Sequence, residues 1–308
     1  MKNIIKRSKS VLILLLILIP LIFITYYGQF IGKIIGFSFY LSISIWAVYE
    51  VIKHTTFKEI SKIFIVLAAV CIWLFPLNFF TSNLIFSDKT GYVSIELTTS
   101  ILQTIVPFDF DRIMYFNVIL AFVFLTIAYF ISLGKINWKD FFIVTFCAIF
   151  IPWFFKILFV LNVGNFYYLL ALELIVIAVD TFGYFGGFFF GHKIIKRGLM
   201  PNTSPKKTYE GAFFSIIFGI IITFLTCYLG YLTNNTFTTM FTKNSQIILG
   251  IILFSPLAIL GDWIFSKIKR YFGIKDFSNL IPGHGGIMDR LDSLSVVTVA
   301  WTFLFIFA

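Results

Sequence analysis

Charge is what this sequence has least of. Only 12% of its 308 residues are Asp, Glu, Lys or Arg, where a soluble domain carries about a quarter. With 59% hydrophobic residues and a mean hydropathy of +0.97, the chain cannot hide its apolar surface in one aqueous core. That excludes an ordinary water-soluble globule and leaves a multi-span membrane protein. Cysteine is nearly as scarce: Cys71, Cys147 and Cys227 each stand in an apolar run, and no two have redox or metal spacing. They read as small buried side chains. The three histidines form no cluster with cysteine, so zinc has no ligand set. No internal repeat is visible, which removes support for an inverted-repeat transporter.

What is abundant is phenylalanine, 42 residues, and an excess of cations that gives a formal charge of +10. In a soluble protein such a balance suggests nucleic acid. Here the cations lie between apolar runs, where the cytoplasmic face of a membrane accounts for them. The aromatics then read as lipid-facing and packing residues, and no nucleic-acid partner is expected.

A spanning helix needs about 20 apolar residues. Nine candidates fit: about 11–28, 34–52, 63–80, 113–133, 141–161, 167–190, 212–232, 247–265 and 294–308. The first follows Lys2, Lys6, Arg7 and Lys9 like a signal peptide, but no small-residue cleavage site follows it, so a retained span is expected. Placing the N-terminus in the cytoplasm puts 19 of the 24 lysines and arginines inside and four outside, with Lys156 within a span. The fold class predicted is therefore all-α, a polytopic integral membrane protein with about nine transmembrane helices and a cytoplasmic N-terminus. Residues 1–165 form an N-terminal set of helices. Residues 166–308 form a catalytic transmembrane region with cytoplasmic loops 191–211 and 266–293. The outside segment 81–112 is expected to be a solvated, partly ordered loop.

Ionisable residues inside spans are costly and default to functional hypotheses. Glu50 reads as an interfacial residue at the cytoplasmic end of its span, and Lys156 as a snorkelling one. Glu173 and Asp180 share one face, seven residues apart. Gly183, Gly187 and Gly191 follow at a period of four, the pattern of close helix packing. Asp180 points to a polar site or a structural hydrogen bond; Glu173 reads either way. Asp262 closes the eighth span, and Ser266 and Lys269 continue on its face.

The stretch from Ser266 to Leu294, SKIKRYFGIKDFSNLIPGHGGIMDRLDSL, concentrates five cations, three anions, a histidine and four glycines. Asp289 and Asp292 share a helix face, and with Asp262 they could place three carboxylates at the cytoplasmic surface. Hard cations such as Mg²⁺ take carboxylate and phosphate oxygens. Lys and Arg are the usual partners of phosphate, and the glycines of Pro282-Gly283-His284-Gly285-Gly286 permit close backbone approach to a ligand. His284 could bond phosphate or brace the turn. Together these residues suit phosphoryl transfer, where catalysis is positioning and charge neutralisation.

These residues resemble the signature of the phosphatidate cytidylyltransferase (CDP-diacylglycerol synthase) family. The matching positions are Ser266, Lys269-Arg270, Lys275-Asp276, Ser278, Pro282, His284-Gly285-Gly286, Asp289-Arg290 and Asp292. Ser204 to Gly211, SPKKTYEG, and the run from Asp180, DTFGYFGGFFFG, resemble two further blocks. The chain departs from the pattern at Phe182, Phe188, Phe214 and Ser215, which puts local helix packing in question. The resemblance is tight over 180–215 and 262–293 and only one of hydropathy over the first 165 residues.

The resemblance implies cytidylyl transfer from CTP to phosphatidic acid, giving CDP-diacylglycerol and pyrophosphate for phospholipid biosynthesis. It implies Mg²⁺, with a second, monovalent cation such as K⁺ in some members. The site would face the cytosol at a bacterial cytoplasmic (inner) membrane, among membrane lipids, and a homodimer is compatible with it. The implied catalytic set is Asp262, Asp289, Asp292, Lys269 and Arg290, with Asp262 and Asp289 as metal ligands. Implied substrate-binding residues are Ser266, Arg270, Lys275, His284, Gly285, Gly286, Ser204, Lys206, Lys207 and Asp180. A CTP-dependent lipid-alcohol kinase, a cytidylyltransferase for another lipid phosphate, and a transporter are the rival readings.

Overall fold

A computed structural model describes residues 2–74, 102, 112–134, 136–232, 240–241, 243–283 and 285–308. The expectations for loop 81–112 and for His284 fall largely or wholly outside these. Among the described residues the regular structure is helical. The helices are α1 (Lys2–Tyr27), α2 (Gln29–Ile52), α3 (Glu59–Leu74), α4 (Arg112–Ser132), α5 (Trp138–Gly164), α6 (Phe166–Phe190), α7 (Tyr209–Leu232), α8 (Asn244–Tyr271) and α9 (Met288–Phe307). Each sequence-predicted span falls on one of them, the third being described as far as Leu74. Six are long and apolar enough to cross a membrane: α2, α5, α6, α7 over Tyr209–Tyr228, α8 and α9. This is the polytopic all-helical protein expected. Its physical basis is that a helix satisfies its own backbone groups where no water can.

The chain divides into two compact units. The first comprises Met1–Phe166 and Asp276–Arg290; the second comprises Tyr167–Lys275 and Leu291–Ala308.

In the first unit α5 packs against α1, α2 and α3, and it is buried continuously from Ile151 to Gly164. Water-driven hydrophobic association is absent between helices in lipid, so shape and buried hydrogen bonds hold them. Phe37 and Trp73 both pack on Phe159, with ring centroids 5.8 and 6.2 Å from it. The Asn162 amide donates to the Tyr40 hydroxyl at 3.3 Å. Asn137 caps α5, its side chain accepting from the Lys139 amide. One turn in, buried Asp140 accepts from the Thr56 amide at 2.7 Å and the Thr56 hydroxyl at 2.6 Å, fastening the α2–α3 turn to α5. Phenylalanine is used here as packing material, as its abundance suggested.

In the second unit the glycine period on α6 has its explanation. Gly183 lies against the Ser215 hydroxyl of α7, Gly186 against the Phe214 ring, and Gly187 and Gly191 against Thr208. Ser215 donates to the Val179 carbonyl at 2.7 Å. Phe214 stacks on Phe190, and Phe182 stacks on Phe218 at 3.7 Å. Three of the departures, at Phe182, Phe214 and Ser215, are thus accommodated by α6–α7 packing. The glycine stripe packs against residues of this same chain. Further on, α8 and α9 run antiparallel. The Gln246 amide near the start of α8 donates to the carbonyls of Leu304 and Phe305 at the end of α9. At the other end a Cβ on Gly261 would stand 2.7 Å from the Asp292 carbonyl oxygen. Only glycine allows that approach, which sets the two helices side by side where α8 carries Asp262 and α9 carries Asp292.

Candidate active site

The second unit gathers charge at this junction from three separate stretches. The loop after α6 is shaped first. Glu210, in the first turn of α7, accepts from the main-chain amides of His192 at 3.3 Å, Ile194 at 3.0 Å and Ile195 at 2.8 Å. His192 adopts a positive φ of 61° to permit this. Farther along, the Leu199 amide donates to the Lys207 carbonyl at 2.8 Å and the Lys207 amide donates to Ser204 at 3.1 Å. The sequence SPKKT therefore forms a closed turn that directs Lys207.

Its ammonium donates to Asp262 Oδ2 in a short ion pair. The other oxygen of Asp262 accepts from the Ser266 hydroxyl, one turn along α8, at 2.9 Å. Lys269, mostly buried, stands 3.8 Å from Asp292 Oδ2. Asp292 Oδ1 accepts from the Ser293 amide at 2.8 Å. Asp262 and Asp180 both lie close enough to Asp292 to act on it electrostatically. Arg270 is fastened to the loop turn, its Nε donating to the Thr203 carbonyl at 3.1 Å. Lys206 and Lys275 are exposed. Two ammonium groups, two carboxylates and a hydroxyl thus converge through residues that the sequence spreads over 86 positions, from Lys207 to Asp292. A group of anionic oxygens entering here would meet preplaced cations, and a hard divalent ion would meet carboxylate oxygen.

The rest of the signature belongs to the first unit. Its loop closes through a pair of bonds between Ile281 and Gly285, at 2.9 and 3.1 Å. Gly283 and Gly285 take φ of 82° and 90°, values that exclude nearly every other residue. Buried Asp289 accepts from the amides of Phe277 and Gly286 at its Oδ2, both at 2.8 Å. That oxygen therefore braces the loop. Arg290 is exposed.

Sequence reasoning missed Glu50. Read as an interfacial residue, it is 1% exposed. Its Oε1 accepts from the Ser278 hydroxyl at 2.5 Å and from Trp46 Nε1 at 3.1 Å. Its Oε2 accepts from the amides of Ile287 at 2.9 Å and Met288 at 3.5 Å. His54, one turn on, meets the Phe277 carbonyl at 2.8 Å through Nε2; a carbonyl only accepts, so that nitrogen carries the proton. An acid within an apolar span was the available signal. Trp46 is four residues away, but its other partners, more than 200 residues away, were not legible.

The sequence model of the Cytidylyltransferase family matches residues 5–307. The phosphatidate cytidylyltransferase of Haemophilus influenzae is 36% identical over 139 residues, 45% of this chain and 46% of that protein. That of Mycobacterium bovis is 40% identical over 135 residues, 44% and 40% of the two chains. That of Staphylococcus epidermidis is 37% identical over 130 residues, 42% and 45%. The aligned segment spans less than half the length of each of these relatives. With a match that runs almost from end to end, the chain belongs to the cytidylyltransferase family.

Proposed function

We propose that the protein transfers the cytidylyl group of CTP to phosphatidic acid at the cytoplasmic face of the membrane. An oxygen of the lipid phosphate forms a bond to the α-phosphorus as the α–β anhydride bond breaks, and its electron pair leaves with pyrophosphate. The observation that carries this reading is the convergence of Lys207, Asp262, Ser266, Lys269 and Asp292 in one cluster. The names of the aligned relatives support the choice of lipid substrate.

The attacking phosphate is already an anion, so no strong general base is required. The barrier is repulsion between anions, and groups fixed in advance lower it without reorganising. Lys207 and Lys269 neutralise phosphate oxygens, and Ser266 donates a hydrogen bond. Arg270 and exposed Lys206 add charge at the entrance.

Mg²⁺ belongs to this proposal. Among the described residues no group of three or more His, Cys, Asp or Glu is arranged to hold a metal, but Mg²⁺ is commonly held by one or two carboxylates together with substrate phosphates. Asp262 and Asp292 supply hard oxygen donors, and one Asp262 oxygen already faces a cation, the Lys207 ammonium. Mg²⁺ would neutralise the phosphates when bound. A role for Asp289 toward that ion, and a second site for a monovalent cation such as K⁺, rest on the family resemblance. A cytosol-facing site is supported by the 19 cations on one side of the span pattern.

The test uses purified protein in mixed micelles with Mg²⁺, both phosphatidic acid and diacylglycerol, and CTP labelled at either the α- or the γ-phosphorus. The expected result is α-label in CDP-diacylglycerol, γ-label in pyrophosphate, and background activity from Asp262→Asn. Transfer of γ-label to diacylglycerol would show a lipid-alcohol kinase instead. Well-folded protein that labels no lipid would overturn the reading.

A further inference from the structure

We propose that Glu50 of α2 is a positioning residue for the reaction, holding residues 277–283 and 285–288 in their working shape from a helix outside the signature blocks named above. The inference rests on the proposed cytidylyl transfer and adds a residue to it.

Four donors meet the two oxygens of this carboxylate: the Trp46 indole and Ser278 hydroxyl at Oε1, and the Ile287 and Met288 amides at Oε2. Indole and main-chain N–H groups cannot reverse direction, so both oxygens of the side chain act as acceptors. Met288 begins α9. Its amide and that of Ile287 are among those a helix start leaves without internal partners, where negative charge is favoured. A Cβ on Gly286 would stand 2.8 Å from the Glu50 carboxylate carbon. The Gly285-Gly286 pair therefore has two separate reasons: positive φ at the first and contact with Glu50 at the second. Asp289 grips the same loop from inside through Phe277 and Gly286, and His54 holds the Phe277 carbonyl. Glu50 of α2 and His54, just past the end of that helix, thus both attach to the stretch that carries the signature.

The variant Glu50→Gln keeps the size but turns an NH₂ toward one pair of donors. Misplacement of about 1 Å costs on the order of 100-fold in rate. We expect kcat to fall about 10- to 100-fold, with KM for CTP within about threefold. Hydrogen exchange over residues 285–290 should accelerate at least tenfold, while residues 151–164 of α5 stay protected. Asp140→Asn is the matched control: a buried acid of the same unit that fastens a different turn, at Thr56. Ser278→Ala removes one of the four donors and should cost a few-fold; combined with Glu50→Gln it should cost less than the product of the two losses. Equal losses in Glu50→Gln and Asp140→Asn with exchange raised everywhere, or full activity in Glu50→Gln, would overturn the proposal. If wild type makes no CDP-diacylglycerol, the proposed function fails. The exchange pattern then still tests the brace by itself, with unchanged protection over 285–290 refuting it.

Discussion

The two polar loops are each held by an acid on a neighbouring helix, and they differ in how far away that acid lies. In the loop after α6, Glu210 collects three amides from residues 15 to 18 positions earlier. In the loop before α9, Glu50 collects Ser278 and two amides from residues 228 to 238 positions later. The chemistry is the same: a carboxyl side chain accepts from main-chain donors that no regular structure pairs. The first brace belongs to the segment it shapes, so loop and acid form as one local unit. The second exists only once α2 has packed, which makes the shape of the signature loop a product of the first unit's tertiary structure. The comparison teaches that a motif of 29 residues is not a self-contained device here, although it contains most of the chemical groups.

The largest expected effect separates a loop's cargo from its brace. Lys207→Met leaves Glu210 and its amide bonds in place but removes the cation from Asp262. We expect kcat to fall about 100- to 1,000-fold, the scale for losing one preorganised charge-stabilising donor, with exchange over 192–195 unchanged. Asp289→Asn makes the same separation in the other loop. Asparagine can still present one oxygen to Phe277 and Gly286, so activity should fall by at least 100-fold while the 285–290 amides remain protected. Retained activity would make Asp289 a brace and nothing more.

Gly286→Ala attacks the distant brace directly by forcing Glu50 away, and about a 100-fold loss of activity is expected. Gly273→Ala is its counterpart: φ is 68° there, yet the added methyl meets nothing within 4 Å. Local strain of about 1–2 kcal/mol should leave activity within about threefold. Glu210→Gln should cost less, about three- to tenfold, because its local loop retains one acceptor and its own turn at Met200–Ser204; faster exchange at His192 checks it. Smallest is Asn162→Leu, which deletes the bond to Tyr40 in the core of the first unit. A loss of about 0.6 kcal/mol in stability with unaltered kcat would confirm that packing and loop bracing are separable.

Much of the candidate site was legible in advance. The seven-residue phase from Asp262 through Ser266 to Lys269 is a property of one helix, and Ser266 does bond Asp262. The resemblance of SPKKTYEG implied Lys206 and Lys207 as substrate-binding residues, but nothing in its spacing said that Lys207 would meet Asp262. The glycine period on α6 announced a close neighbour but not which one; α7 of the same chain supplies it. Phe214 and Ser215 looked like departures that would disturb packing, and they turn out to fill the space that Gly186 and Gly183 leave. Glu50 was visible as an acid in a span and misread as interfacial, because a carboxylate's burial depends on donors that hydropathy cannot see.

By itself the sequence determined the helices, because apolar runs of this length have one way to satisfy their backbone in lipid. It also carried the family resemblance, because the matching residues occur in short blocks whose spacing is fixed by the covalent chain. Tertiary structure decided which charge faces which: Lys207 on Asp262, Lys269 toward Asp292, Glu50 under the signature loop. The reason is one of range. Helix formation is set by residues three and four apart, whereas an ion pair or a brace depends on contacts that α2, α8 and α9 make only after packing. One missing Cβ, at Gly261, decides whether the two helices of that site can meet at all: with a side chain there the α8 backbone could not come so near Asp292.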